Sequence, residues 1–315
     1  MNKIGITLGD PTGIGPEIVK NTIQNYQGKN KLILYGNLPQ NFTISNLQKI
    51  TRVEDTINFT DKLFWIETAP TDLFLSGNPS ENSGISAYNA IKYAGYDAVK
   101  QKISAIATAP ISKHFIQIRH PEFIGHTEFF ANLADCNNFI MSFFSPKLNV
   151  AILTTHLALK DVSTSLSAGK ITNQIKLIHS SLIKYFGIDN PKIALLGLNP
   201  HSGEQGKFGN EELSIFHPII KKLNETGLRL DGPFPADTFF SGNYHKYDMI
   251  ISAYHDQALI PFKMLSFDTG VNVTLGLPFV RTSVDHGTAF DIAGKNRANP
   301  QSMKNALLLA ERMIG

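Results

Sequence analysis

The sequence predicts an α/β protein built as two α/β/α lobes around a mixed, largely parallel sheet. Short apolar runs typical of buried strands alternate with segments of helical periodicity along the 315 residues. Three of these runs end on a histidine: NVAILTTH stops at His156, KIALLGLNPH at His201 and DMIISAYH at His255. Open α/β sheets bind ligands at the carboxyl ends of parallel strands, so we expect the site at this edge, in the cleft between the lobes.

The alternation of patterns assigns individual elements and lobes. The predicted strands cover residues 3–7, 31–35, 103–108, 149–155, 192–198 and 248–253. The predicted helices cover residues 15–23, 86–100, 170–186, 211–224 and 300–313. The irregular, Asn- and Thr-rich stretch 41–80 is assigned to a peripheral strand pair. One lobe is expected to comprise residues 1–115 and 290–315, and the other residues 116–289.

The composition is that of an ordinary globular protein and argues against several function classes. With a net charge of +3 and no Lys/Arg-rich run, the chain lacks the basic stripe of a nucleic-acid-binding protein. The chain has no run of about 18 apolar residues, so we expect no membrane span. No signal peptide is expected either. The single cysteine, Cys136, excludes an internal disulfide and fits a reducing compartment. We therefore expect a cytoplasmic protein without nucleic-acid or membrane partners.

The three histidines that end apolar runs predict a metal centre. Three neutral imidazoles with an open coordination position suit a catalytic divalent ion better than a structural one. Asp256 follows His255 directly, and its carboxylate has three open roles: orienting the imidazole, binding the metal or accepting a proton. The repetition of the pattern, rather than any single histidine, supports this prediction.

Two glycine-rich segments are candidates for anion or cofactor binding. The first predicted strand leads into GDPTGIGPE, where Gly13 and Gly15 permit close backbone approach and a helix N-terminus follows. This is neither GxGxxG nor a P-loop, and a structural strand-to-helix turn explains it equally well. The segment DHGTAFDIAGK, which begins at Asp285, can present His286 and backbone groups to a flat base such as adenine. A plain turn into the last helix is the alternative.

Other polar residues predict a binding site for a phosphorylated ligand. Lys263, Asn272 and Arg281 are spaced nine residues apart on a stretch expected to be rich in strands. Arginine can hold a phosphate through two hydrogen bonds and lysine acts as a point charge, although both could be ordinary solvated charges. In the segment GHTE we expect His126 to contact a ligand, whereas Thr127 is either an N-cap or a ligand contact.

Two further polar features have simpler interpretations. The segment TAPISK follows a predicted strand and either holds an anion or merely turns the chain. The acidic pair Glu211 and Glu212 stands in the first turn of a predicted helix, where it compensates the helix dipole and nothing more.

The order of these segments resembles one enzyme family. The resemblance rests on GDPTGIGPE, TAPISK, GHTEFFA, LTTHLAL, NPHSGE, FPADTFF, YHDQ and RTSVDHGTAFDIAGKNRANPQSM. It extends from Ile4 to Met303 and is to the 4-hydroxythreonine-4-phosphate dehydrogenases (PdxA family) of pyridoxal 5′-phosphate biosynthesis. GIGPE and HGTAFDIAGK also resemble the isocitrate and isopropylmalate dehydrogenase superfamily, which binds NAD(P) without a GxGxxG motif. The resemblance therefore implies an isocitrate/isopropylmalate dehydrogenase-like fold.

The resemblance also assigns roles to residues. It implies that a divalent metal (zinc, magnesium or cobalt) is bound by His156, His201 and His255. It implies that the substrate-binding residues are His126, Thr127, Lys263, Asn272 and Arg281. The NAD or NADP site is expected at Gly13, Gly15, His286, Gly287, Thr288 and Asp291. The general base stays open among Asp256, Asp237 and Lys263.

The implied activity is the NAD(P)- and metal-dependent oxidation of 4-phosphohydroxy-L-threonine at C3. The product, 2-amino-3-oxo-4-phosphohydroxybutyrate, would then decarboxylate to 3-amino-2-oxopropyl phosphate. The family forms homodimers whose subunits share each active site, so residues 116–289 are expected to carry the dimer interface. Two alternatives stay open: a dehydrogenase of threonate or erythronate 4-phosphate, and a metal-dependent lyase without redox chemistry.

Overall fold

The fold alternates strands and helices along most of the chain. The computed structural model of the protein describes residues 1–24, 26–69 and 73–315. The strands are β1 (Lys3–Thr7), β2 (Lys31–Tyr35), β3 (Gln48–Lys49), β4 (Leu63–Ile66), β5 (Ala105–Thr108), β6 (Ile140–Phe144), β7 (Val150–Thr154), β8 (Lys192–Leu196), β9 (Arg229–Phe234), β10 (Met249–Tyr254), β11 (Val271–Leu275) and β12 (Val280–Ser283). The helices are α1 (Gly15–Ile23), α2 (Glu81–Val99), α3 (Lys113–Gln117), α4 (His126–Leu133), α5 (Val162–Ser165), α6 (Ala168–Phe186), α7 (His217–Asn224), α8 (Ala236–Phe240), α9 (His255–Ser266) and α10 (Gln301–Ile314). None of the described helices combines the length and the apolar character needed to cross a membrane.

The chain divides into two compact units. The first comprises Met1–Asn137 and Leu277–Gly315, and the second comprises Asn138–Gly276. The predicted lobes instead grouped residues 116–137 and 277–289 with the second unit. The boundaries differ because α4 packs against α2 and β12 pairs with β5, and both contacts hold these segments to the first unit.

The strands of the first unit are all parallel. Their order is β3–β4–β2–β1–β5–β12, and α2 and α10 pack against them. β1, β2 and α1 have the bounds predicted from the sequence. The predicted peripheral strand pair is also confirmed, since β3 and β4 lie at one end of this order. Residues 70–72 of that stretch lie outside the described residues.

The strands of the second unit form a mixed arrangement in the order β11–β6–β7–β10–β8–β9. β6 runs antiparallel to both β7 and β11, while β7, β10, β8 and β9 run parallel to one another. The three strands that precede His156, His255 and His201 are therefore adjacent and parallel. This confirms the mixed, largely parallel sheet and places the ends of the three apolar runs along one edge.

The sequence analysis did not predict α9, the twelve-residue helix that follows β10. α9 continues through Pro261, although proline in a helix interior removes a backbone hydrogen bond. Its residues Ala258, Leu259 and Phe262 are buried in a core with β7 and β10, and this packing stabilises the helix. The prediction of a strand-rich stretch was therefore wrong for Lys263, which lies on α9. The two other members of the nine-residue spacing lie on β11 and β12 as predicted.

Candidate functional site

The histidine edge of the second unit contains a surface cavity. His255 begins α9 directly after β10, and His156 lies two residues beyond the end of β7. The centroids of their rings are 6.4 Å apart and the rings are tilted by 40°. Both line a cavity of about 340 Å³ together with Leu157 and Tyr254. His201 lies five residues beyond β8, and its ring is 6.1 Å from that of Phe208.

The structure brings two of the three predicted metal ligands together. Within residues 1–24, 26–69 and 73–315, no three His, Cys, Asp or Glu side chains are grouped as metal ligands. His156 and His255 nevertheless supply the imidazole donors that divalent transition metals prefer. Asp256 Oδ1 lies 2.7 Å from His255 Nδ1, a contact that orients the ring and leaves Nε2 for a ligand. The two histidines fit part of a metal site, and Asp256 supports one of them.

The turn that carries His201 has a left-handed backbone. The angle φ lies between 40° and 57° at its four non-glycine residues, which are His201, Ser202, Glu204 and Gln205. Each such residue costs roughly 1–2 kcal/mol, because the Cβ atom crowds the following carbonyl oxygen. The turn must therefore be held by contacts outside its own backbone.

Two acidic side chains make those contacts. Glu212 accepts hydrogen bonds from the backbone N of Asn199 at 2.8 Å and from its Nδ2 at 2.9 Å. Glu211 accepts from the same Nδ2 at 2.8 Å and from the hydroxyl of Ser163. These bonds, with Ser163 first, lower the pKa of Glu211. The interpretation of this pair as helix-dipole compensation and nothing more was wrong, because Glu212 is buried and both residues hold Asn199.

A glutamine joins the ends of two histidine-bearing strands, and the sequence analysis missed it. Gln257 Nε2 donates to the carbonyl oxygen of Gly197, after β8, at 2.6 Å. Its Oε1 accepts from the backbone N of Ala253 on β10 at 2.8 Å. The side chain therefore fixes the start of α9, and with it His255, relative to the segment that leads to His201. The position of Gln257 two residues after a candidate ligand was the only available signal.

The first unit contains a buried cationic pocket centred on Arg281. This residue of β12 is 3% exposed, and its Nη2 donates to Thr108 Oγ1 at 3.0 Å. Its Nη1 makes a longer bond of 3.5 Å to Thr127 Oγ1. Burial lowers the pKa of the guanidinium to about 9, and the charge of Glu128 partly offsets this effect. The group still carries its proton at neutral pH, so the pocket holds a buried positive charge.

His126 lies in the electrostatic field of the same pocket. Burial lowers its pKa well below the ordinary value, and the charges of Arg281 and Lys113 lower it further. The imidazole is therefore neutral at physiological pH. Its Nε2 is buried and has no hydrogen-bond partner in the part of the chain that the structure describes. A neutral hydrogen-bonding ring beside two cations is suited to an anionic ligand.

Two neighbouring segments complete this pocket. The N-cap of α4 is Gly125, so the N-cap alternative for Thr127 was wrong, and its hydroxyl instead accepts the bond from Arg281. TAPISK contributes Thr108 and Lys113 to the surroundings of Arg281 and His126. The anion-binding alternative for TAPISK therefore agrees better with the geometry than a simple turn does.

The two glycine-rich segments of the first unit meet. The backbone N of Ile14 donates to the carbonyl oxygen of Thr288 at 2.9 Å, and a Cβ at Gly13 would lie 3.0 Å from that oxygen. A Cβ at Gly15 would lie only 2.1 Å from the carbonyl oxygen of Leu8. Close packing thus accounts for both glycines, as the structural interpretation of GDPTGIGPE requires.

The second of these segments offers an open hydrogen-bonding group. His286 Nδ1 lies 3.1 Å from the carbonyl oxygen of Gly287, and the tautomer that donates to this oxygen leaves Nε2 as an acceptor. That Nε2 is buried and has no partner among the described residues. A Cβ at Gly287 would meet no atom within 4 Å. The segment fits a ligand that donates a hydrogen bond and approaches the backbone closely.

The remaining predicted site residues are more dispersed. Asn272 is half-buried on β11 between buried Val271 and Val273, as the alternation predicted. Asp237 is exposed in the first turn of α8, which packs against the turn of His201. Asp291 is exposed, and its backbone oxygen accepts a bond from Lys295.

The chain matches a family model and several named relatives. The model described as pyridoxal phosphate biosynthetic protein PdxA matches residues 21–310. A 4-hydroxythreonine-4-phosphate dehydrogenase of Sulfurihydrogenibium sp. is 39% identical over 98% of each chain. A D-threonate 4-phosphate dehydrogenase of Pectobacterium atrosepticum is 36% identical over 98% of each chain.

Solved structures agree with this relationship. The crystal structure of a 4-hydroxythreonine-4-phosphate dehydrogenase from Klebsiella pneumoniae gives a TM-score of 0.82 at 32% identity, over 100% of both chains. An isocitrate dehydrogenase from Methylococcus capsulatus shares the fold alone, with a TM-score of 0.53 at 13% identity over 100% of this chain and 86% of that one. The expected fold is thus confirmed. The sequence and structural comparisons agree, and the chain belongs to the PdxA family of pyridoxal phosphate biosynthetic proteins.

Proposed function

We propose that the chain is a dehydrogenase that uses NAD or NADP and a divalent metal to oxidise 4-phosphohydroxy-L-threonine at C3. The 2-amino-3-oxo-4-phosphohydroxybutyrate formed would decarboxylate to 3-amino-2-oxopropyl phosphate, in pyridoxal 5′-phosphate biosynthesis. The observation that carries the proposal is the buried cationic pocket around Arg281 in a chain of this family. That pocket has the charge and the donors that a substrate phosphate requires.

The substrate would be held through its phosphate and oriented by neighbouring polar groups. The Arg281 guanidinium supplies fixed donors, and Thr127 lies within its reach. His126 is neutral, so its ring can exchange a hydrogen bond with the substrate without adding charge. We also include Lys263 and Asn272 in the substrate-binding set on the basis of the family pattern. Binding energy from the phosphate would orient C3 for oxidation.

His156, His201 and His255 would hold the metal, which is zinc, magnesium or cobalt. When bound, the metal would supply a Lewis acid for the C3 hydroxyl and the nicotinamide would supply the hydride acceptor. Asp256 fixes the ring of His255 through Nδ1, so we assign it to orientation. Lys263 and Asp237 then remain as candidates for the base that takes the hydroxyl proton.

A second copy of the chain would complete the metal site. Only two of the three histidines lie together in the described residues, as expected if each site takes ligands from two subunits. Large apolar side chains are exposed near this pair and along α9: Leu157, Leu159, Ile260, Met264 (82%) and Phe267 (68%). Exposed apolar surface of this kind is typical of protein interfaces. We therefore propose a homodimer with a shared active site.

The cofactor would bind at the two glycine-rich segments that meet in the first unit. His286 Nε2 would accept a hydrogen bond from it, and Gly287 would allow close approach. Gly13, Gly15 and Thr288 shape the adjoining backbone, and Asp291 lies in the same segment.

A second candidate function differs only in its substrate. The relative from Pectobacterium atrosepticum is named for D-threonate 4-phosphate, and it is nearly as similar as the relatives named for 4-hydroxythreonine 4-phosphate. Both substrates carry a phosphate and a secondary alcohol, so the Arg281 pocket fits either. A lyase without redox chemistry is less well supported, because the relatives are named as dehydrogenases.

A substrate panel tests the proposal. The purified protein is mixed with NAD or NADP, one of the three metals, and 4-phosphohydroxy-L-threonine, D-threonate 4-phosphate or D-erythronate 4-phosphate. We expect reduced nicotinamide and carbon dioxide to form with the first substrate, and a chelator to abolish both. Reduction with a sugar-acid phosphate alone would favour the second candidate, and no reduction with any substrate would refute the dehydrogenase proposal.

A further inference from the structure

A buried carboxylate lies behind the turn that carries His201. Glu212 is 1% exposed and begins the π-helical turn Glu212–Phe216. Its Oε1 accepts the backbone N–H of Asn199, and its Oε2 accepts the side-chain amide of the same residue. Both oxygens of one carboxylate are thus bound by the residue that enters the turn.

The backbone of the turn also lies directly against this carboxylate. A Cβ at Gly203 would be 2.7 Å from Glu212 Oε2, and a Cβ at Gly197 would be 3.2 Å from Oε1. Glu212 therefore touches the chain both before and after His201. A shift of the carboxylate would therefore disturb the backbone on both sides of His201.

The left-handed backbone makes the turn dependent on this support. Non-glycine residues prefer other conformations, so the turn would relax if Asn199 lost its acceptors. We propose that Glu212 is a positioning residue, whose buried carboxylate holds the left-handed turn through Asn199 and thereby places His201 for metal binding. The inference rests on the proposed function in one respect, namely that His201 is a metal ligand.

The test compares three full-length variants by their affinity for Co²⁺. Glu212→Gln keeps the size of the side chain but turns a donor toward the donors of Asn199. Asn199→Ala removes the side-chain amide and leaves the backbone bond to Glu212 in place. Glu17→Gln is the matched control, because Glu17 is also buried (3% exposed) and accepts a backbone bond, from Ala298 at 3.0 Å, but lies in the first unit.

Competition with a chelating dye gives the Co²⁺ affinity without any substrate. We expect Glu212→Gln to weaken binding by about 10- to 100-fold, as is usual when support behind a metal ligand is lost. Asn199→Ala should weaken it less, and Glu17→Gln should bind Co²⁺ as the unmodified protein does. Normal affinity in folded Glu212→Gln would overturn the inference, and if that variant does not fold, normal affinity in Asn199→Ala would overturn it.

Hydrogen exchange in the metal-free protein gives a second readout. The amides of Ser202 and Phe208 are bonded to the carbonyl oxygens of Asn199 and Gly203 at 3.1 and 3.2 Å. We expect these amides to exchange faster in Glu212→Gln while the amides of β7 and β10 keep their protection. Faster exchange across all strands would instead indicate general destabilisation and would count against a positioning role.

His201→Ala separates failure of the inference from failure of the proposed function. If this variant binds Co²⁺ normally, His201 is not a ligand, and the metal assignment fails together with the inference. If it loses Co²⁺ while Glu212→Gln and Asn199→Ala bind normally, the metal assignment stands and only the role of Glu212 is refuted.

Discussion

Replacement of Arg281 tests whether the buried cationic pocket binds the substrate phosphate. A hydrogen bond to a charged group contributes roughly 1.5–3 kcal/mol, and about 1.4 kcal/mol corresponds to a tenfold change. Arg281→Met should therefore lower kcat/KM for 4-phosphohydroxy-L-threonine by about 10- to 150-fold if one such bond is lost. A larger loss would indicate a bidentate contact. Arg281→Lys keeps the charge but not the planar guanidinium, so its kcat/KM should lie between that of Arg281→Met and that of the unmodified protein.

The same substitution should leave the free protein stable. Burial lowers the pKa of Arg281, which shows that the folded chain disfavours the charged form. Burying a charged group costs free energy that burying an apolar side chain of similar volume does not cost. The hydroxyls of Thr108 and Thr127 lose a donor but can still act as donors themselves. We expect an unchanged or higher Tm without ligand and the loss of the Tm increase that the substrate produces in the unmodified protein.

The decisive assay compares phosphorylated and unphosphorylated substrate. Arg281→Met should lose kcat/KM with 4-phosphohydroxy-L-threonine and keep whatever slow rate the unmodified protein shows with 4-hydroxy-L-threonine. An equal loss with both substrates would refute phosphate binding by Arg281, since the residue would then act on a shared step. Unchanged kcat/KM with the phosphorylated substrate would refute it as well.

Three other substitutions test separate features of the fold and site. Burial lowers the pKa of His126 below 6.5, so only the unfolded chain gains this proton as pH falls below that value, and the free energy of unfolding should drop by up to about 1.4 kcal/mol per pH unit. In urea titrations at successive pH values, His126→Asn should lack this dependence of the unfolding free energy on pH. An equal dependence in both proteins would contradict the assignment. Gln257→Leu removes the hydrogen-bond partner of the buried backbone groups of Gly197 and Ala253, so the free energy of unfolding should fall by roughly 1–3 kcal/mol for each group. An unchanged urea midpoint would contradict this. Gly287→Ala should fold with normal Tm, because the added Cβ meets no atom within 4 Å. It should raise the KM for the nicotinamide cofactor and leave the KM for the phosphorylated substrate unchanged. An unchanged cofactor KM would count against cofactor binding at this segment.

Several elements could be predicted from the sequence because their local and tertiary preferences agree. β1 and β2 are continuous apolar runs buried in a parallel sheet, so their composition marks their bounds. α1 begins at Gly15, and Pro16 in its first turn favours the start of a helix at that point. The three histidine-terminated strands were predictable for the same reason, whereas their adjacency is known only from the pairing of β10 with β7 and β8.

The parts that could not be predicted depend on contacts distant in sequence. α9 contains Pro261, which locally argues against a helix, and only its packing against β7 and β10 overrides that preference. The left-handed turn of His201 contains four non-glycine residues that disfavour it, so no local pattern indicates it. Glu212 was interpreted by its place at a helix start, whereas its burial against Asn199 depends on the whole loop.

The interrupted course of the first unit along the chain has a consequence for synthesis on the ribosome. The second unit is one continuous stretch, Asn138–Gly276, whereas the first needs Leu277–Gly315 to supply β12 and α10. Domains generally fold as units during translation, so the histidine edge can form while the last strand is still unmade. Arg281, which donates a hydrogen bond to Thr108, follows that residue in the chain by 173 positions. A nascent chain thus acquires its histidine edge first and its buried cationic pocket only after β12 has been made, so under the proposed function a chain that stops before β12 would not bind the phosphorylated substrate.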